Sequence, residues 1–204
     1  MIKNVVFDFG QVLVHFEPEY MTSRYIKNRA DAKLAESIIF DRLYWDRLDA
    51  GTISDDEVIE AVLRRLPERL RCDAEKAYYN WIYNIPEIDG MKALVKSIKA
   101  KYGVKTYVLS NISTYFADHA SEIPILEEMD GRVFSAVCGF SKPDRRIFEY
   151  LCEKFSILPE ETVFVDDNIS NVQAAEELGI RSFCFEKDVP ALQKWFEQKL
   201  NKNS

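Results

Sequence analysis

Two short apolar runs far apart in this chain both end in carboxylates, and together they leave few folds open. Val5-Val6-Phe7 is β-branched and aromatic throughout and leads into Asp8-Phe9-Gly10. Such a run reads as a strand buried on both faces. Thr162–Val165 repeats the pattern and ends in Asp166 and Asp167. Open parallel sheets place their ligands beyond the carboxyl ends of their strands. Side by side, these two strand ends would present hard oxygen ligands suited to Mg²⁺. A lone aspartate after a strand is more often a turn residue or a helix cap. The chemistry therefore depends on what lies between the two runs.

Between them the chain alternates. Val104–Leu109 reads as a strand ending in Ser110 and Asn111; Val133–Cys138 and Arg181–Phe185 read as two more. Helices are predicted over Asp89–Lys101, Ser113–Met129 with a break at Pro124, Pro143–Phe155, Ser170–Leu178 and Val189–Leu200. Pro143 suits a first helical turn, and Gly179 suits a left-handed helix end. Strand–helix alternation predicts an α/β fold, a doubly wound Rossmann-like parallel sheet.

The stretch after Val14 breaks this pattern. It shows no convincing strand, and helices are predicted near Glu19–Asn28, Asp31–Ile39, Asp41–Ala50, Ser54–Leu66 and Asp73–Ile82. The signal is clearest at Gly51, which closes one helix, and at Ser54 and Glu57, which make a capping box for the next. Val58, Ala61, Val62 and Leu66 then recur at helical spacing, and Pro67 ends the pattern. The predicted division is an α/β core at 1–14 and 86–204 and a separate helical bundle at 15–85. The polar tail Asn201–Ser204 is expected to fray.

Charge narrows the partners. The 204 residues carry a net charge of −7. That disfavours nucleic acid, whose phosphates need a basic surface. It does not disfavour a small phosphorylated metabolite, because a metal ion and one lysine can make a local positive pocket. Cys72, Cys138, Cys152 and Cys184 form no CxxC pair and read as free thiols in a reducing compartment. No apolar run approaches a membrane span, and the first ten residues read as a strand, not a signal peptide. The expectation is a soluble cytoplasmic protein, monomeric or weakly dimeric, with no nucleic-acid or membrane partner.

Asp8, then Ser110-Asn111, then Lys142-Pro143-Asp144, then Asp166-Asp167 resemble, in that order, the four motifs of the haloacid dehalogenase (HAD) superfamily. The resemblance covers nearly the whole chain, and points to small sugar-phosphate phosphatases with a DxG first motif. It implies Mg²⁺-dependent hydrolysis of a small phosphomonoester, with the helical insert as a cap that closes over the site. Asp8 is then the nucleophile that forms an acyl phosphate. Ser110 and Asn111 bind the phosphoryl oxygens, and Lys142 neutralises their charge. The metal site comprises Asp8, the Gly10 carbonyl and Asp167, with Asp166 supporting Lys142 or the metal's water shell. Asn168 and Asn171 either bond behind these groups or cap a helix.

Gly10 departs from the family pattern, in which the phosphatases usually carry a second aspartate there to protonate the leaving group and activate water. Gln11 cannot titrate; His15, Glu17, Glu19 and Tyr20 are candidate substitutes. Without an acid, the enzyme is expected to favour anomeric, acyl or aryl phosphates over esters of simple primary alcohols. Tyr44, Trp45, Tyr78, Tyr79, Trp81 and Tyr83 are core or substrate-stacking aromatics. Two other readings remain: a 2-haloacid dehalogenase-type hydrolase, and a non-catalytic protein that binds a phosphorylated ligand and, with Gly10, turns over negligibly.

Overall fold

The computed structural model describes residues 1–201; beyond Asn201 the predicted frayed tail lies outside the described residues. In chain order, β1 (Asn4–Phe7) leads into five helices: α1 (Pro18–Ser23), α2 (Arg29–Ile39), α3 (Arg42–Asp49), α4 (Asp55–Arg65) and α5 (Glu68–Asn80). Alternation follows through α6 (Met91–Tyr102), β2 (Lys105–Ser110), α7 (Thr114–His119), β3 (Gly131–Phe134), α8 (Ser135–Cys138) and α9 (Arg145–Phe155). It ends with β4 (Thr162–Asp166), α10 (Ile169–Glu177), β5 (Arg181–Cys184) and α11 (Val189–Leu200). Among the described residues no helix is long and apolar enough to cross a membrane.

The five strands form one parallel sheet in the order β3-β2-β1-β4-β5. Successive side chains of a strand point to opposite faces, and here both faces are covered. Val5, Phe7, Val108 and Val165 pack with Val95 of α6 and Phe196 of α11. Val6, Leu109 and Phe164 pack with Ile147 and Phe148 of α9. The chain winds outward from β1 to β3 and then returns to place β4 on the other side of β1. The crevice between β1 and β4 is thus the switch point of the sheet, where such folds bind ligands. Asp8 and Asp166 stand there.

The helices α1–α5 bury an apolar cluster of their own, which includes Ile39, Leu48, Val58, Val62, Leu70 and Ala77. Three of these five helices start at a side-chain cap. Asn28 accepts from Ala30 N and Asp31 N, Asp41 from Leu43 N, and Ser54 and Glu57 complete the predicted capping box. The two linkers to the core run side by side: His15 N donates to Pro86 O and Ile88 N to Leu13 O, with an antiparallel bridge between Val14 and Glu87. An aromatic chain joins the layers, from Phe40 stacked on Trp45, through Phe16 and Trp81, to Phe116 and Phe9. Asp55 adds a polar tie: it accepts from Tyr78 OH (2.9 Å) within the helical layer and from Tyr115 N (3.2 Å) at the start of α7.

Five predicted elements differ. The helix expected over Glu19–Asn28 ends at Ser23, because Asn28 takes extended backbone and caps the start of α2. The strand expected over Val133–Cys138 stops at Phe134, because Ser135 is buried, its Oγ accepts from Ile112 N, and the chain turns into α8. The helix expected from Pro143 starts at Arg145, capped by Asp144. Ser113–Met129 is one short helix followed by two 3₁₀ turns, at Ala120–Glu122 and Pro124–Glu128. The helix expected from Asp73 begins at Glu68, because Pro67, read as an end, has the extended backbone that starts the next helix.

One close approach locks the end of α3 onto the core. Gly51 has φ +66°, and a Cβ there would lie 2.6 Å from the carbonyl oxygen of Ala136. Left-handed backbone costs an L-residue about 1–2 kcal/mol and overpacking about 1–3 kcal/mol. Gly51→Ala should therefore lose roughly 2–5 kcal/mol, measured by urea unfolding, whereas Gly→Ala at an unstrained position would be neutral or better.

Candidate active site

Asp8 directly follows β1. Its backbone N–H continues the pairing with β4 by donating to Val165 O, and its Oδ1 accepts from Phe9 N at 2.7 Å. Asp166 ends β4 and is fully buried. Its Oδ1 accepts from Asn168 N (2.8 Å) and Asn171 Nδ2 (3.0 Å), and its Oδ2 from Asn171 Nδ2 (3.1 Å) and Lys142 Nζ (2.6 Å). Lys142 has a side chain only 2% exposed, and its ammonium also meets Asp8 Oδ1 at 2.7 Å. The lysine backbone is held as firmly: Lys142 N donates to Asn111 Oδ1 and Asn111 Nδ2 donates to Lys142 O, both at 2.8 Å. The Lys142–Pro143 peptide is cis.

Electrostatics follow from this burial. Burial pushes the Asp8 carboxyl up to about 7, against the pull of Lys142 and with added repulsion from Asp166. Burial alone would lower the Lys142 ammonium, but Asp8 and Asp166 outweigh it and hold it above its ordinary value. Asp167 is raised by burial and then by Asp166. Oxygens of Asp8, Asp166 and Asp167 lie within 4.8 Å of one another. With all three ionised, one ammonium leaves two negative charges uncompensated. Oxygen-only donors with surplus negative charge fit a hard divalent cation such as Mg²⁺. Asp166 already spends both oxygens on protein donors, so Asp8 and Asp167 are the carboxylates left to face an ion.

A cavity of about 250 Å³ opens over these groups. Asp8, Gly10, Ser110, Asn111, Lys142 and Asp167, six of the seven site residues predicted from sequence, line it together with Asn168 and Asn171. The seventh, Asp166, lies beneath it. His15, Glu17, Glu19 and Tyr20 do not reach its wall. Of the six singled-out aromatics only Trp45 lines it; Tyr78 and Trp81 are buried packing residues, and Tyr83 is exposed. Gly10 is not in a left-handed conformation, and a Cβ there would meet only Phe16 Cβ, at 3.7 Å. Position 10 therefore has room for a Cβ.

Four lining residues escaped the sequence reading as site residues: Phe9, Phe16, Ile112 and Asp49. Asp49 is the last residue of α3. Its Oδ1 is buried and has no hydrogen-bond partner. Burial pushes its carboxyl up to about 7, with Asp46 and Asp8 adding to the rise and Lys142 and Arg42 opposing it. A signal was present in the sequence: a carboxylate in the last turn of a helix opposes the helix dipole, so Asp49 is placed against its local preference.

The family and structural comparisons bear on the fold and the family. A family model described as haloacid dehalogenase-like hydrolase matches residues 2–179. D-ribitol-5-phosphate phosphatase of Bacteroides thetaiotaomicron is 29% identical over 192 residues, which are 90% of this chain and 91% of that protein. A HAD-like family hydrolase from Porphyromonas gingivalis superposes with a TM-score of 0.71 at 25% identity, over 96% of this chain and 98% of that one. A HAD family enzyme from Bacteroides thetaiotaomicron, crystallised with magnesium and inorganic phosphate, has a TM-score of 0.66 over 92% of this chain and 96% of that one. At 19% identity its likeness bears on the fold.

The raised Asp49 carboxyl has a consequence for stability. Its proton is held more tightly in the folded chain than in the unfolded one, where the ordinary value is 3.8. The stability this represents is complete below that value and is lost as pH rises through about 7. Asparagine has no proton to lose. In metal-free buffer, Asp49→Asn should therefore gain on the wild type between about pH 4 and about pH 7 and no further above that, measured by urea unfolding. A constant difference would show that Asp49 titrates normally.

Proposed function

The chain belongs to the haloacid dehalogenase-like hydrolases, and from that membership we propose that it hydrolyses small phosphomonoesters with Mg²⁺, through a phosphoryl group carried on Asp8. The observation that carries the reading is the buried Asp8–Lys142–Asp166 chain at the sheet's switch point. Lys142 there neutralises one carboxylate that can attack while a second, Asp166, is fully committed to holding it. Helices α1–α5 act as the cap, with Trp45 and, from the linker before α1, Phe16 adding to the apolar wall that Phe9 and Ile112 supply from the core.

In this mechanism Asp8 attacks phosphorus and displaces the alcohol. Ser110 and Asn111, at the end of β2, bind the phosphoryl oxygens, and Lys142 balances the negative charge that grows there. Asn171 and Asn168 keep Asp166 oriented, which keeps the ammonium pointed at Asp8. Mg²⁺, held by Asp8, the Gly10 carbonyl and Asp167, would neutralise the nucleophile and the phosphoryl group. A sugar or sugar-alcohol phosphate fits the size of the cavity, and the relative that cleaves D-ribitol 5-phosphate supports that class.

Release of inorganic phosphate from a panel of sugar and polyol phosphates, with and without Mg²⁺, tests the reading. Hydrolysis should stop in chelator and return with Mg²⁺. Asp8→Asn should fall to background, and Asp167→Ala should lose the Mg²⁺ response while remaining folded. A hydrogen bond to a charged group contributes about 1.5–3 kcal/mol, so Ser110→Ala should lose about ten- to hundredfold in kcat/KM. Full activity in chelator would remove the metal from the mechanism, and full activity in Asp8→Asn would remove the covalent step.

A further inference from the structure

Building on the hydrolase reading, we propose that Asp49, delivered by the helical layer, is the catalytic acid–base that Gly10 cannot be, and that the natural substrates include phosphates of ordinary alcohols. Asp49 lines the same cavity as Asp8, Gly10, Ser110 and Lys142, and it is the only carboxylate that the helical layer contributes to that wall among the described residues. Its Oδ1 is buried without a hydrogen-bond partner. A protein does not ordinarily bury a carboxylate oxygen unpaired, and a neutral carboxyl tolerates such a position better than an ionised one.

Two further features hold Asp49 in place. Ser141 Oγ, one residue before Lys142, donates to the Asp49 carbonyl at 3.1 Å. Two residues after Asp49, Gly51 packs against the Ala136 backbone, where no side chain fits. The end of α3 is thus fixed to the same segment of core that carries Lys142. The groups that act on Asp49 are Asp46 and Arg42 on its own helix and Asp8 and Lys142 from the core; burial outweighs them all and keeps its proton available near neutral pH.

The two half-reactions balance. In the first, Asp8 attacks phosphorus, the phosphorus–oxygen bond to the alcohol breaks, and its electron pair stays on the departing oxygen. That oxygen takes the proton of neutral Asp49 and leaves as the alcohol, and Asp49 becomes a carboxylate. In the second, the Asp49 carboxylate takes a proton from water as the water oxygen attacks phosphorus. The bond to Asp8 breaks, its electron pair returns to the Asp8 carboxylate, inorganic phosphate departs, and Asp49 is again protonated. An acid at this point removes the restriction to anomeric, acyl and aryl phosphates that Gly10 alone would impose.

The experiment measures kcat/KM, which reports cleavage of the ester bond, for p-nitrophenyl, phenyl and alkyl phosphates in wild type and Asp49→Asn. The wild type should depend weakly on the leaving group. Asp49→Asn should lose about 10²–10⁴-fold on alkyl phosphates and far less on p-nitrophenyl phosphate. Phosphorylated Asp8, trapped by acid quench, should accumulate in the variant, because water attack has lost its base. Parallel series for the two proteins, with a uniform loss or none, would overturn the acid role and leave the hydrolase reading intact. A steep dependence in the wild type would overturn it without any variant. A wild type that hydrolyses no ester in the series or the sugar-phosphate panel would overturn both.

Discussion

The structure of this site depends on one buried ammonium. Lys142 lies between Asp8 and Asp166, within 2.7 Å of each, with almost no access to water. Removing a partner from a buried ion pair costs far more than breaking a surface pair, because the remaining charge has nothing to answer it. Without Lys142, two carboxylates at adjacent strand ends would repel each other inside the protein. The surrounding hydrogen bonds follow from this requirement. Asn111 clamps the lysine backbone, and Asn171 and Asn168 saturate Asp166 so that it can serve as a fixed counter-ion. The excess negative charge that remains is what makes the crevice fit a divalent cation.

That arrangement also explains why so much of the site could be read from the chain. Asp8, Ser110 and Asp166 each close an apolar strand, so one rule about where parallel sheets present their ligands places all three at the same edge. The helix start at Ser54 was legible because capping is a contact between near neighbours, whereas Asn28, read as the end of one helix, caps the start of the next. What was missed depends on contacts distant in sequence. The residues after Val133 look like a continuing strand, but the hydroxyl of Ser135 pairs with the backbone of Ile112 and the chain bends into a helix. Asp49 looks like one more charge on a polar helix until Ser141 and Ala136 show where the end of that helix sits.

Gly10 has a different standing in three dimensions from the one it has in the sequence. Its backbone is ordinary and the space beside it is open to a Cβ. The missing carboxylate is therefore not excluded by backbone geometry or by a clash at Cβ. In the proposed mechanism, the acid has moved from the strand that carries the nucleophile to the layer that closes over it. Turnover then requires closure, because nucleophile and acid meet only when the two layers are together.

The linkers that join those layers give this closure a geometry. Residues 13–15 and 86–88 are hydrogen-bonded to each other as a short antiparallel ribbon, so neither can move without the other. A paired ribbon leaves the helical layer less freedom than two independent tethers would. The Ser141 hydroxyl holds the Asp49 carbonyl at a second point, on the segment that carries Lys142. The layer that positions the acid is thus held twice, at the ribbon and beside the lysine.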